Sequence, residues 1–387
     1  MKRAVLGIAA LFFVPRVILL FVRQPFFDEL FTRWISGLSF AGILHALRYD
    51  SGPPLYYCII HLLGDPKVLV IRAVSLLFSA VALVALLMSR RFVAAALLAV
   101  FPPAVLLSVD ARAYALCAMC VALGVLALDR DRPWLAAIAF VAAAYSHYYG
   151  ALFFVLLWRH WRALAVAILA FLPGAWLALH QPRESMAWIG GFPHYPDVLF
   201  ARPPIWLLIV AVALLIVAGY RLNRYAAMTL IPLGLALALG IYFPLRFESV
   251  IAVPFALWIA TSAHRKLIPL LIAVGLAICA IGIVDHAQRP LDDYRDAAMH
   301  LRGAEGPVVA SGYLYLEAIM VRPATAFPPE QALHPGWRAM PGAGSKPPEG
   351  AFTWIGERQA PELDIIRRSR KITPIYVNQN AAIVKVN

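Results

Sequence analysis

AVLGIAALFFVPRVILLFVRQPFFDE, residues 4 to 29, decides the fold class. The apolar run over 4–22 reaches the roughly 20 residues that a membrane-crossing helix needs. It is too long for a cleaved leader and lacks a small-residue cleavage site, so it reads as a retained span. Just beyond it Asp28 and Glu29 stand side by side, between Arg23 and Arg33. The whole chain is 62% hydrophobic and 14% charged, with a mean hydropathy of +0.75. A soluble protein of this size cannot hide so much apolar surface, which makes the chain a polytopic membrane protein.

The net charge of +13 is unevenly spread. Residues 1–284 hold 22 Lys and Arg against 10 Asp and Glu, while residues 285–387 hold 12 against 11. The excess therefore belongs to short loops between spans, where it sets orientation, and nucleic acid is excluded as a partner. Lys2 and Arg3 place the N-terminus in the cytoplasm. The pairs Arg90-Arg91, Arg130 with Arg132, Arg159 with Arg162, Arg221 with Arg224 and Arg265-Lys266 then follow every second span. About eleven spans result, over 4–22, 69–88, 92–107, 112–128, 134–146, 149–158, 163–180, 204–220, 225–241, 249–263 and 267–284. The fifth and sixth are short for ordinary crossings. Cys117 and Cys120 form a CxxC inside a predicted span, where small apolar packing residues are the expected reading.

The predicted external loop 23–68 mixes apolar patches with scattered charge, as interfacial helices do, and Pro53-Pro54 would open one of them. Beyond 284 the periodicity changes. "PLDDYRDAAMHLRG" reads as an amphipathic helix, "GPVVASG" and "AFTWIGE" as short strands, and "TPIYVNQNAAIVKVN" as two strands joined at Asn378-Gln379-Asn380. Residues 323–350, rich in Pro and Gly, read as a loop. The expected organisation is a transmembrane domain over 1–284 and a small external α/β domain over 285–387.

Only Asp129 and Asp131, among the ten acidic residues before 285, fall in a cytoplasmic loop. Asp28, Glu29, Asp50, Asp65, Asp110, Glu184, Asp197 and Glu248 map to the external face or its margin, as do Arg72, Arg112 and Arg246. Ionisable groups near membrane depth are costly, and mark functional sites by default. A carboxylate with arginines at the lipid boundary suits a reaction between a hydroxyl and a phosphate-bearing lipid: the carboxylate takes the proton and the arginines hold phosphate oxygens.

"FFDE" (26–29), "DSGPPLYY" (50–57), "VIRAVSLL" (70–77), "SVDARAYAL" (108–116), "SHYYGALFF" (146–154) and "RFESVIAVP" (246–254) together resemble the membrane glycosyltransferases of the GT-C fold. The nearest branch holds the protein O-mannosyltransferases and the lipid A aminoarabinose transferases. The resemblance covers residues 1 to about 284. It implies an all-α polytopic enzyme, and the tail matches only in being a small external domain. The implied reaction is an inverting transfer from a polyprenyl-phosphate-linked sugar to an acceptor hydroxyl on a glycan, glycolipid or protein at the external face of the cell membrane. Carried onto this sequence, Asp28 is the general base and Glu29 its support. Arg246, then Arg72 and Arg112, bind the donor phosphate, and Asp50, Tyr56, Asp110, Tyr114, His147, Tyr148 and Glu248 line the substrate pocket. Gly52 stands where the family often has a basic residue or histidine. No cofactor is required. A divalent cation bridging Asp28 or Asp50 to the phosphate is compatible with the resemblance, though the sequence has no His-x-x-His and no DxD on the predicted external face.

Plainer readings stand beside these. Asp28 and Glu29 can be interface charges that end a span. Asp110 and Arg112 can form an internal ion pair with Asp110 as a helix N-cap. His147 to Tyr149 can be an aromatic belt, Arg246 a snorkelling residue, and Arg72 structural. A transporter or lipid flippase is the alternative class, though no internal repeat supports it; an inactive scaffold of transferase ancestry is a further reading.

Overall fold

The computed structural model describes residues 2–182, 205–218, 221–332 and 346–387. The chain is mostly helical, with many apolar helices and one small mixed sheet. It divides into two compact units, one of Met1–Gln24 with Asp50–Gln288 and the other of Pro25–Tyr49 with Arg289–Asn387. The cut is therefore not a single one at 284. Two helices of the predicted external loop, α2 (Phe27–Ser36) and α3 (Phe40–Ala46), group with the C-terminal segment.

The first unit is helical throughout. It comprises α1 (Lys2–Val22), α4 (Leu55–His61), α5 (Val68–Met88), α6 (Phe92–Val100), α7 (Pro102–Leu107), α8 (Tyr114–Leu128) and α9 (Pro133–Ser146). A 3-10 segment over Tyr148–Leu157 follows, then α10 (Trp161–His180), α11 (Ile205–Ala218), α12 (Arg224–Ala238), α13 (Arg246–Val250), α14 (Ala252–Ser262) and α15 (Leu267–Gln288). Among the described residues four helices are long and apolar enough to cross a membrane: α1, α5, α10 and the one beginning at Leu267. Shorter apolar helices make up the rest, so the expected count of eleven full spans is not reproduced.

Two of the expected spans are interrupted for local reasons. The predicted 92–107 span breaks at Phe101, because Pro102 and Pro103 have no N–H to donate back into the helix. The Leu98 and Ala99 carbonyls thereby lose their helical donors, and α15 serves the next oxygen along: the Cys279 thiol donates to the Val100 oxygen at 3.6 Å. The close approach needs Gly275, where an added Cβ would lie 2.7 Å from that same oxygen. The predicted 249–263 span divides into α13 and α14 at Ile251. Where α8 ends, Asp129 gathers three partners, pairing with Arg224 at 2.7 Å and accepting from Tyr225 Oη at 2.6 Å and Arg91 Nη2 at 3.3 Å. This ties the starts of α6 and α12 to the end of α8.

The second unit is a small α/β layer structure. Its sheet runs β2 (Thr325–Ala326), β1 (Val308–Ala310), β3 (Phe352–Glu357), β5 (Ala381–Val386), β4 (Ile372–Val377). The first three are parallel and the last three antiparallel. Alternation along β3 decides the layers. Trp354 packs with Leu363 and Ile366 of α18 (Pro361–Ser369), while Ile355 packs with Ala297 of α16 (Asp293–Met299) and Leu314 of α17 (Leu314–Val321). The Trp354 indole is fully buried and donates to Ser311 Oγ at 2.9 Å. The β4–β5 turn forms where expected, because Asn378 Oδ1 accepts from the Asn380 and Ala381 amides. The predicted 323–350 loop contains β2.

Candidate functional site

In the second unit α2 presents both carboxylates in its first turn, where they complement the helix dipole. Phe26, at its N-cap, supplies no side-chain cap. Asp28 is half-buried and Glu29 is completely buried; Thr32 Oγ1 donates to the Asp28 carbonyl at 3.0 Å. The helix lies on α17. Phe27 meets Tyr313 edge-on at 4.9 Å between ring centroids, and Arg33 Nη1 reaches Met320 Sδ at 3.0 Å. Glu317 shares the Tyr313–Met320 face by its i, i+4, i+7 spacing. It is buried, with Arg295 at 3.5 Å. Burial pushes its carboxyl up to about 7 against the opposing pull of Arg295, and Asp292 adds to the rise.

The first unit holds the remaining candidates in two adjoining groups. The Arg246 guanidinium lies 4.3 Å over the Phe243 ring and 5.6 Å over the Tyr114 ring. The His147 ring sits 5.2 Å from Tyr114 and 4.4 Å from Tyr149, and Tyr149 Oη donates to the Ile241 carbonyl at 2.8 Å. Tyr242 donates to Glu248; burial raises the Glu248 carboxyl, and that hydroxyl opposes the rise. In the second group Arg112 Nη1 donates to Tyr57 Oη at 3.2 Å. Tyr148 Oη donates to Gln181 Oε1 at 2.9 Å, and Gln181 Nε2 donates to the Gly52 carbonyl at 2.9 Å. Asp50 is within electrostatic reach of Tyr148, and both Arg112 and Arg246 are within reach of His147. Arg246, Arg112, Tyr114, His147, Tyr148, Asp50 and Glu248 thus belong to one neighbourhood of aromatic rings and guanidinium groups.

Three predicted residues sit elsewhere. Arg72 is buried and donates to the carbonyls of Leu20, Arg23 and Gln24 at 3.4, 2.7 and 3.0 Å, closing the end of α1. Asp110 pairs with Arg23. It does not cap α8, whose N-cap is Ala113 with no side-chain bond, so the N-cap reading is corrected by the longer-range partner. Tyr56 Oη shares a 2.8 Å hydrogen bond with Ser75 Oγ, joining α4 to α5. Its neighbour Tyr57 is the one that reaches Arg112, a choice that two adjacent tyrosines leave open in sequence. Gln181, Tyr242 and Phe243 carried no signal beyond standing next to predicted span ends. Glu184 and Asp197 lie outside the described residues. Among the described residues no three His, Cys, Asp or Glu side chains gather closely enough to hold a metal ion. No step below runs through a metal ion.

The apolar helices belong to one unit and a small mixed sheet to the other. No protein-family profile matches the chain, and no curated protein sequence does. Among solved structures it is similar to ArnT from Cupriavidus metallidurans in the apo state, with a TM-score of 0.56, 13% identity, and coverage of 98% of this chain and 97% of that one. It is likewise similar to the same protein bound to undecaprenyl phosphate, at a TM-score of 0.57 and 14% identity over the same shares. At these identities the likeness establishes the fold.

Proposed function

We propose that the chain is an inverting glycosyltransferase that moves a sugar from a polyprenyl-phosphate donor to an acceptor hydroxyl at the extracytoplasmic face of the cell membrane. The observation that carries this reading is the likeness, over nearly the whole chain, to a protein crystallised with undecaprenyl phosphate. The chemistry of the residues agrees with it. Asp28 accepts the proton of the acceptor hydroxyl as its oxygen bonds to the anomeric carbon. The bond from that carbon to the phosphate oxygen breaks, and the lipid phosphate leaves with the electron pair. Arg246 and Arg112 meet the charge that grows on the leaving oxygens, where fixed donors in a water-poor site count most. The rings of Tyr114, His147 and Tyr148 form the wall against which the sugar rests. Glu29, buried in the same first turn of α2, supports the base.

The test is transfer in nanodiscs with polyprenyl-phosphate hexose and pentose donors, after mass spectrometry of the co-purified lipid has indicated which to use. Asp28→Asn is expected to lower transfer by at least about 10²-fold, with the melting temperature and lipid binding unchanged. Full activity in Asp28→Asn would remove Asp28 from the role of base. Absence of any polyprenyl phosphate, together with no transfer by the wild type, would remove the reading itself.

A further inference from the structure

Arg16 lies inside α1, is completely buried, and has no part in the chemistry above. Its Nη1 donates to the carbonyls of Phe12 at 2.9 Å and Ala99 at 2.8 Å, its Nη2 to that of Leu98 at 3.4 Å, and its guanidinium carbon sits 3.8 Å over the Phe12 ring. In an unbroken helix the Leu98 and Ala99 carbonyls would accept from the amides of residues 102 and 103. Both are proline, so Arg16 supplies the donors that the chain lacks there. No carboxylate among the described residues pairs with it. Of its two remaining N–H groups, that of Nε is buried and has no hydrogen-bond partner. Arg16 forms part of the wall of a cavity of about 30 Å³ together with Ser79, Ser108, Tyr114 and Ser249.

A cavity of that size admits a water molecule, and on its mostly apolar wall the unpartnered buried N–H of Arg16 and the three serine hydroxyls offer the partners such a water needs. Two of the cavity's walls also set Arg246. Ser249 Oγ donates to the Arg246 carbonyl at 2.8 Å, and the Tyr114 ring lies beneath the Arg246 guanidinium. We infer that Arg16 Nε and these serines hold an ordered water, and that this buried centre makes Arg16 a positioning residue for the lipid-phosphate site, acting through Ser249 and Tyr114. The inference rests on the proposed role of Arg246 in binding the donor phosphate.

The experiment titrates undecaprenyl phosphate onto the full chain in nanodiscs, following binding by native mass spectrometry and stability by thermal unfolding. Arg16→Lys keeps the cation and can still serve the α6 carbonyls, but has no Nε donor; Ser249→Ala leaves Arg16 and the helix break untouched. Both are expected to weaken binding about tenfold while the melting temperature stays within about 2 °C. A high-resolution map of the wild type should show a water within hydrogen-bond distance of Arg16 Nε. Wild-type affinity in both variants, or an empty cavity in that map, overturns the inference. Wild-type affinity in Arg246→Ala overturns the reading beneath it, and the positioning role falls with it.

Discussion

Glu317→Gln turns the burial of one carboxyl into a measurable pH dependence. The side chain sits on the face of α17 that also carries Tyr313 and Met320, the contacts of α2. Although Arg295 is 3.5 Å away, desolvation outweighs it and raises the group from an ordinary 4.5 to about 7. The unfolded chain releases this proton near pH 4.5 and the folded unit near 7, so the native state holds an extra proton between those values. Stability of the second unit is therefore greatest at the acid end of that window, falls as the pH rises through it, and levels off above about 7. The full difference is about 3 kcal/mol. Gln imitates the neutral carboxyl, so the variant should lose this slope and be more stable than the wild type at pH 8 by up to about 3 kcal/mol, less the lost attraction to Arg295. Pulse proteolysis in urea of the nanodisc-held chain, at pH 5.5 and 8, reads the stability of segment 289–387 from its fragments. Equal wild-type stability at the two pH values, or a variant less stable than wild type at pH 8, would refute the reasoning.

Other perturbations test the helical unit. Gly275→Ala places a Cβ 2.7 Å from the Val100 oxygen and should lower stability by about 1–3 kcal/mol, read as a fall in the melting temperature, whereas Gly234→Ala, with nothing near its Cβ, should not. Asp129→Ala removes the shared acceptor of Arg91, Arg224 and Tyr225. Because this carboxylate is nearly buried while both arginines are partly exposed, about 2 kcal/mol is expected, with faster hydrogen exchange at the starts of α6 and α12.

Much of this was legible in the sequence because it depends on short-range rules. The apolar run at 4–22, the strands at 308–310 and 352–357, and the Asn378 turn each follow from local composition and spacing. The helix α18 was equally marked, with Pro361 at its first position, acids in its first turn and arginines in its last, yet it stood in a stretch without strong apolar periodicity. The break at Pro102 was also readable, though not which groups would serve the carbonyls beside it, since Arg16 and Cys279 arrive from distant helices. The same limit applies to the site. The motifs pointed to Arg246, Tyr114 and His147, which share one neighbourhood. Arg72 and Tyr56 look alike in sequence but are taken up by a helix end and by Ser75. The partition between α4 and α5, or between Tyr56 and Tyr57, is decided by helix rotation, on which a motif is silent.

Arg16 also bears on how the chain is made. Its acceptors on Leu98 and Ala99 lie 82 and 83 residues further along, so α1 is synthesised well before they are. Until then the helix carries a cation into the bilayer at a cost of roughly 2.5–3.5 kcal/mol, borne by its surrounding Leu, Ile, Val and Phe residues. Arrival of α6 relieves that cost. The first helix is thereby inserted early but secured late, and a nascent chain stopped before residue 98 should hold it less firmly in the membrane than one stopped after α7.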